Sequence, residues 1–234
     1  MKPTVLVISC EHAVNKVPAK YADLFAHKKL LLKTPRAYDI GATQIATYLQ
    51  KHLDCEYVKT KITRLLIDCD HSLQHKHCFS KYSKKLSTDQ KDHLIETYYN
   101  PFYQELQDII EAHIAAGRQV LHVSIYTFMP IFKGMFLNTG IGILYDSYRH
   151  GEKEVARIIH GLLMQETPAY KIRLNYPFSG KNDHILQSFR KSFAEKDYLG
   201  IKLGVNQALL SPPKEGRAIR EAVTNSLSEL LMLL

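Results

Sequence analysis

Thr4-Val-Leu-Val-Ile-Ser-Cys-Glu11-His12 is the stretch on which the fold turns. Thr4 to Ile8 runs without a polar interruption and then stops on Ser9, Cys10, Glu11 and His12. A short apolar run that ends at once in polar groups reads as a central strand of an α/β sheet, buried on both faces. Ligands of open α/β sheets bind just beyond the carboxyl ends of such strands, where Glu11 and His12 fall.

Further runs repeat the pattern. Glu56–Thr60, Leu65–Ile67, Val120–Tyr126, Ile141–Tyr145, Lys171–Asn175 and Tyr198–Val205 read as strands. Helical spacing of apolar residues marks Ala37–His52, a long helix from Thr88 to a Gly117 cap with Pro101 as a kink or restart, Glu152–Met164 and Lys214–Leu234. Gln74–Ser87, polar and rich in Lys, reads as a loop. The alternation predicts one α/β domain over residues 1–234, a mixed central sheet flanked by helices. If the strands are parallel, Glu11-His12, Asp68-Cys-Asp70-His71, Tyr126-Thr127 and Asn175-Tyr-Pro177 meet at one sheet edge.

With 234 residues and 45% hydrophobic content, the chain can bury a full-sized core. No apolar run is long enough to span a membrane, and the start lacks a signal-peptide pattern. The four cysteines follow no disulfide rhythm and are expected to be reduced thiols in a cytoplasmic protein. The net charge of +8 is scattered. No basic-aromatic motif or paired finger spacing accompanies it, so no specific nucleic acid is expected.

Seven segments fall in a recognisable order: Ser9-Cys-Glu-His-Ala13, Asp39-Ile-Gly-Ala42, Thr63-Arg-Leu-Leu-Ile-Asp68, Ser124-Ile-Tyr-Thr-Phe-Met-Pro130, Gly142-Ile-Leu-Tyr-Asp146, Asn175-Tyr-Pro-Phe-Ser-Gly180 and Gly200-Ile-Lys-Leu-Gly-Val-Asn-Gln207. In these, roughly from residue 4 to 210, the chain resembles the N-formylglutamate amidohydrolase family. The resemblance implies a fold like the zinc carboxypeptidases and aminoacylases. It implies hydrolysis of an N-acyl amino acid, typically N-formylglutamate, with one zinc. It places His12, Glu11 and Asp39 on the metal side, Arg64 at a substrate carboxylate, Asp68 beside it, and Asn175 along the pocket. The expected partner is a small N-acyl amino acid or another acidic small molecule.

Several polar positions depart from the family pattern. Tyr126-Thr-Phe-Met-Pro130 stands for His-Ser-Phe-Thr-Pro, and a phenol is a poor zinc ligand. Asp70-His71 stands for Asn-Arg, Leu137 for an arginine, Gly140 for an aspartate, and Phe102-Tyr103 for Tyr-His. Lys202-Leu-Gly204 stands for Glu-x-Glu, which reverses the charge of the group expected to act as base on a metal-bound water. The catalytic positions are therefore Glu11, Lys202 and Tyr126, with two outcomes open: a rebuilt hydrolase, or an inactive member that binds an acidic small molecule or a protein. In the second, Lys202 pairs with Glu11 in place of a metal, and Tyr126 fills the metal region and bonds to His12 or Asp39. His71, His122 and His184 are the histidines that could have moved into the vacated positions.

Plainer readings stand beside these. Asp39 serves equally as the N-cap of the helix after it. Arg64 and Asp68, four apart on a strand, form a salt bridge. His122, Ser124 and Tyr126 share one strand face as a polar seam. The Cys69–Cys78 stretch, with His71, His75 and His77, reads as a solvated loop rather than a zinc site, because it lacks finger spacing.

Overall fold

The computed structural model describes residues 2–132, 134–182 and 184–234, with only the backbone described for Asn182 and His184. In chain order the elements are β1 (Thr4–Cys10), a 3₁₀ segment Ala19–Phe25, α1 (Lys29–Leu32), α2 (Ala42–His52), β2 (Glu56–Lys59), α3 (Thr88–Leu94), α4 (Asn100–Ala115), β3 (Gln119–Phe128), β4 (Ile131–Phe132), β5 (Met135–Phe136), β6 (Ile141–Leu144), α5 (His150–Glu166), β7 (Ile172–Leu174), α6 (His184–Ser192), β8 (Tyr198–Asn206) and α7 (Pro213–Leu233). Six strands form one sheet in the order β2-β1-β3-β8-β6-β7, and β4 pairs with β5 as a separate hairpin.

Strand periodicity sorts the side chains. Leu6, Ile8 and Cys10 of β1, Leu121, Val123 and Ile125 of β3, and Leu199, Ile201, Leu203 and Val205 of β8 enter one core with α2, α5 and α7. The intervening residues face the other layer, where Val7, Val120 and Tyr198 pack with α4 and α6. Toward the strand ends this second face turns polar. The register aligns Val7 with His122 and Gly200, then Ser9 with Ser124 and Lys202, then Tyr126 with Gly204. The polar seam read on β3 is thus one column of a grid that β1 and β8 complete.

Four strands (β2, β1, β3, β8) run parallel, whereas β6 is antiparallel to β8 and parallel to β7. This corrects the expected convergence of four parallel strand ends. Leu144 lies level with Lys202, so the β7 end at Asn175 reaches the level of the site from the opposite direction. Leu65–Ile67 is also not a strand: a turn bond from Leu66 N–H to Thr63 O and a loop-closing bond from Asp68 N–H to Cys78 O take the place of ladder bonds. These residues are nonetheless buried, which explains their strand-like apolarity.

Thr88 opens a helix, as expected, with Ser87 and Gln90 forming a capping box. The helix passes through a π-turn at Ile95–Tyr99 before α4, and Pro101 lies in the turn where the wider π pattern gives way to α. Asp39 is not the N-cap of α2: Gly41, at φ 91°, holds that position, and a Cβ there would run into Leu210. No helix among the described residues is long and apolar enough to cross a membrane.

Candidate active site

Two charged clusters lie at the ends of β1, β3 and β8. In the first, His12 is clamped between two carboxylates. Its Nε2 lies 2.7 Å from Asp68 Oδ1 and its Nδ1 3.4 Å from Asp39 Oδ2. Arg64 caps the cluster, with Nη1 3.4 Å from Asp39 and Nη2 3.4 Å from Asp68. The Arg64–Asp68 bridge forms as read, though on turns rather than a strand. Burial and the Arg64 charge push the His12 pKa down, but Asp68 and Asp39 outweigh them and raise it to about 10. Nε2 faces Asp68, while Nδ1 lies between the Arg64 guanidinium, whose Nη1 is 3.1 Å away, and Asp39 at 3.4 Å. Burial alone would raise the Asp68 pKa, yet His12 and Arg64 hold it far below the usual range.

The second cluster centres on Lys202. Its Nζ lies 2.8 Å from both oxygens of Asp70 and 3.9 Å from Glu11 Oε2. The expected pairing with Glu11 is present but secondary; Asp70 is the main partner. Burial raises the Asp70 pKa more than Lys202 lowers it, and Glu11 adds to the rise. The Glu11 oxygens accept Ser9 Oγ at 2.5 Å and Ser124 Oγ at 2.6 Å.

Below Ser9 the chain of bonds continues inward. His122 Nε2 lies 2.8 Å from Ser9 Oγ, and His122 Nδ1 lies 2.8 Å from the Tyr198 hydroxyl. Because Ser9 donates to Glu11, it must accept from His122 Nε2–H, which leaves Nδ1 to accept from Tyr198. Burial, then the positive charges of Arg190 and Lys202, lower the His122 pKa to about 3, so the ring is neutral and fits this single orientation. His122 has thus not moved into a vacated ligand position. It supports the floor of the site.

A cavity of about 540 Å³ opens above both clusters. Its polar base carries His12, Asp39, Arg64, Asp70, His71 and Lys202, and Phe128, Phe132, Leu137, Leu144 and Phe178 line its apolar side. Tyr126 sits between the two. Its ring centroid is 5.6 Å from Lys202 Nζ, and it occupies the space that a Cβ at Gly204 would need. Asn175 does not line the cavity. Its Oδ1 accepts the backbone N–H of Tyr145 (3.0 Å) and of Gly180 (3.1 Å), which fixes the loop that brings Phe178 and Ser179 to the rim. The side chain of His184 lies outside the described residues.

The donors present do not fit the zinc that the resemblance implies. A histidine ligand must be neutral with a free lone pair, and both His12 nitrogens are already engaged, Nε2 by Asp68 and Nδ1 by Arg64 and Asp39. Glu11 is held by two serine hydroxyls and faces an ammonium rather than a vacancy for a cation. No group of three His, Cys, Asp or Glu side chains among the described residues is placed to hold a metal. That includes the stretch around Cys69 and Cys78, a loop whose two thiols are buried in the core at its ends while Gln74, Lys76 and His77 between them are exposed.

Sequence reading missed Asp70 as the lysine's partner, Tyr198 at the inner end of the chain, and the aromatic wall of Phe128, Phe132 and Phe178. Phe128 and Phe178 lie inside recognised segments, so their positions were marked without a role. The row of Ser9, Ser124 and Lys202 follows from parallel pairing once the register is known.

Among the solved structures to which the chain is similar are the following two. The gene product Atu2144 from Agrobacterium tumefaciens matches with a TM-score of 0.77 and 23% identity, over 98% of this chain and 92% of that one. N-formylglutamate amidohydrolase from Ralstonia eutropha JMP134 matches with a TM-score of 0.68 and 15% identity, over 98% of this chain and 91% of that one. At these identities the likeness is one of fold. No curated protein sequence matches the chain. The family model for N-formylglutamate amidohydrolase matches residues 4–211, and the chain belongs to that family.

Proposed function

We propose that this chain is a binding member of its amidohydrolase family. It keeps a pocket for a small N-acyl amino acid and holds an ion pair where a hydrolase needs a base and a metal. The observation that carries this reading is Lys202 Nζ at 2.8 Å from both Asp70 oxygens, with Glu11 at 3.9 Å. A general base must offer a lone pair toward the attacking water. An ammonium chelated by a carboxylate offers none, and His12 is committed to Asp68 through Nε2 and to Arg64 and Asp39 through Nδ1.

Family membership supports the ligand class, and the cavity supports binding. Arg64, with its side chain 30% exposed, is the cation open to a ligand carboxylate. Its guanidinium carries more N–H groups than its contacts to His12, Asp39 and Asp68 use, which leaves some to point at a ligand. The apolar side of the cavity faces the rest of such a molecule.

The test pairs calorimetric titration with product analysis. N-formyl-L-glutamate and a panel of N-acyl amino acids are added to the protein with and without zinc, and released formate, fatty acid and free amino acid are measured. Saturable binding without product is expected. Amide cleavage that requires zinc would overturn the reading.

A further inference from the structure

The cavity is poorly matched to a molecule with two carboxylates. Its exposed-side cations are Arg64 and Lys202, and each is already ion-paired, to Asp39 with Asp68 and to Asp70. Glu11 adds a fourth carboxylate beneath them. With His12 held between Asp68, Asp39 and Arg64, and Lys202 chelated by Asp70, the partly exposed Arg64 is the seat left for one ligand carboxylate among these four acids. A second would meet either these acids or the hydrocarbon wall, and an unpaired charge in such a place is costly.

The rest of the cavity is a continuous aromatic row. Phe128 stands 6.1 Å from Tyr126, Tyr126 6.4 Å from Phe178, and Phe178 5.5 Å from Phe132 at a right angle, measured between ring centroids. Leu137 and Leu144 close it from the side. Apolar side chains also stand at the rim: Phe178 is 40% exposed and Met129 43%, and Met135, which pairs with Phe132 across the β4–β5 hairpin, is 65% exposed. Isolated exposed apolar residues are ordinary, but several together at the rim of a cavity mark a surface that a ligand covers.

We infer that the cavity takes N-acyl amino acids with a single carboxylate and a medium or long hydrocarbon acyl chain, the carboxylate at Arg64 and the chain along the Tyr126–Phe178–Phe132 row toward the hairpin. This rests on the proposed binding of N-acyl amino acids and specifies which of them.

The experiment is a calorimetric series on the full chain with N-acetyl-, N-butanoyl-, N-hexanoyl- and N-octanoylglycine, and with N-formyl-L-glutamate. Affinity is expected to rise by about fourfold per added methylene, the transfer free energy of a buried CH₂, with one ligand bound per chain. N-formyl-L-glutamate is expected to bind more weakly than N-octanoylglycine. Phe178→Ala and Phe132→Ala, checked for folding by thermal denaturation, should each reduce the octanoyl-to-acetyl affinity ratio by about tenfold, since part of the aromatic wall is lost.

Equal affinities along the series, or tighter binding of N-formyl-L-glutamate, would overturn the inference and leave the binding function standing. Cleavage of the amide with KM falling along the series would overturn the binding-only function and leave the inference standing. No binding of any N-acyl amino acid would overturn both.

Discussion

Replacing Lys202 by methionine removes the charge that Asp70 and Glu11 share while keeping much of the side-chain volume. The lysine side chain is 7% exposed, Glu11 1% and Asp70 18%. Breaking a buried pair by deleting one partner costs about 3–5 kcal/mol, because the other charge is left uncompensated. Partial exposure of Asp70 and the two serine hydroxyls on Glu11 place the expected loss at the lower end, about 3 kcal/mol at neutral pH. For a chain of this length that is a fall of about 6–12 °C in Tm. The sign of the pH dependence follows from Asp70, whose folded pKa is already raised by burial. Without Lys202 it rises further, so the penalty is full when Asp70 is ionised and shrinks as pH falls and the carboxyl takes up a proton. Lys202→Met/Asp70→Asn removes the stranded charge and should recover at least half of the loss. Urea denaturation at pH 7 and pH 5, followed by circular dichroism, measures both effects. A single variant within about 0.5 kcal/mol of the parent, the usual range for surface substitutions, would refute the reasoning.

Three more perturbations bear on the surroundings of the site. His122, with its pKa depressed to about 3 in the folded chain against an ordinary 6.5, binds fewer protons folded than unfolded between those values. Its contribution is therefore full above pH 6.5 and is lost as pH falls toward 3; His122→Gln should flatten that acid limb of the stability profile by on the order of 4 kcal/mol, measured by denaturation across the range. Arg190 donates Nε and Nη2 to both oxygens of the fully buried Glu152 at 2.9 and 2.8 Å and reaches the carbonyls of Gly180 and Gly200. Arg190→Lys cannot reproduce that fork and should cost about 2–4 kcal/mol by thermal or urea denaturation. At Gly204 any Cβ overlaps the Tyr126 ring, so Gly204→Ala should push Tyr126 into the cavity and weaken ligand binding by calorimetry more than it lowers Tm.

The strands that carry the site are the most legible part of the sequence. β1, β3 and β8 are buried along nearly their whole length, and a strand buried on both faces announces itself as an unbroken apolar run. Glu11 and His12 are conspicuous because they break such a run. The Leu65–Ile67 segment misled for the same reason: burial, not strand geometry, makes it apolar, and its backbone is satisfied by turns. The reversal of β6 and β7 leaves no mark in either strand, since a residue pattern of period two is the same in both directions. The pairing of Lys202 with Asp70 spans 132 positions and depends on where a turn places the aspartate beside β8. Only the charge reversal at Lys202 hinted that some acid must answer it. The role of Asn175 was misplaced because an amide that accepts two backbone N–H groups and an amide that lines a pocket look alike as a motif.

The central claim is that an ion-paired lysine stands where a metal-dependent hydrolase would hold its base and its zinc. Zinc titration of chelator-treated protein, with calorimetry and elemental analysis on the wild type and on His12→Ala, addresses it most directly. The account predicts no stoichiometric zinc in either protein and no shift in Tm on adding it. About one tightly held zinc per chain in the wild type, lost in His12→Ala, would contradict it.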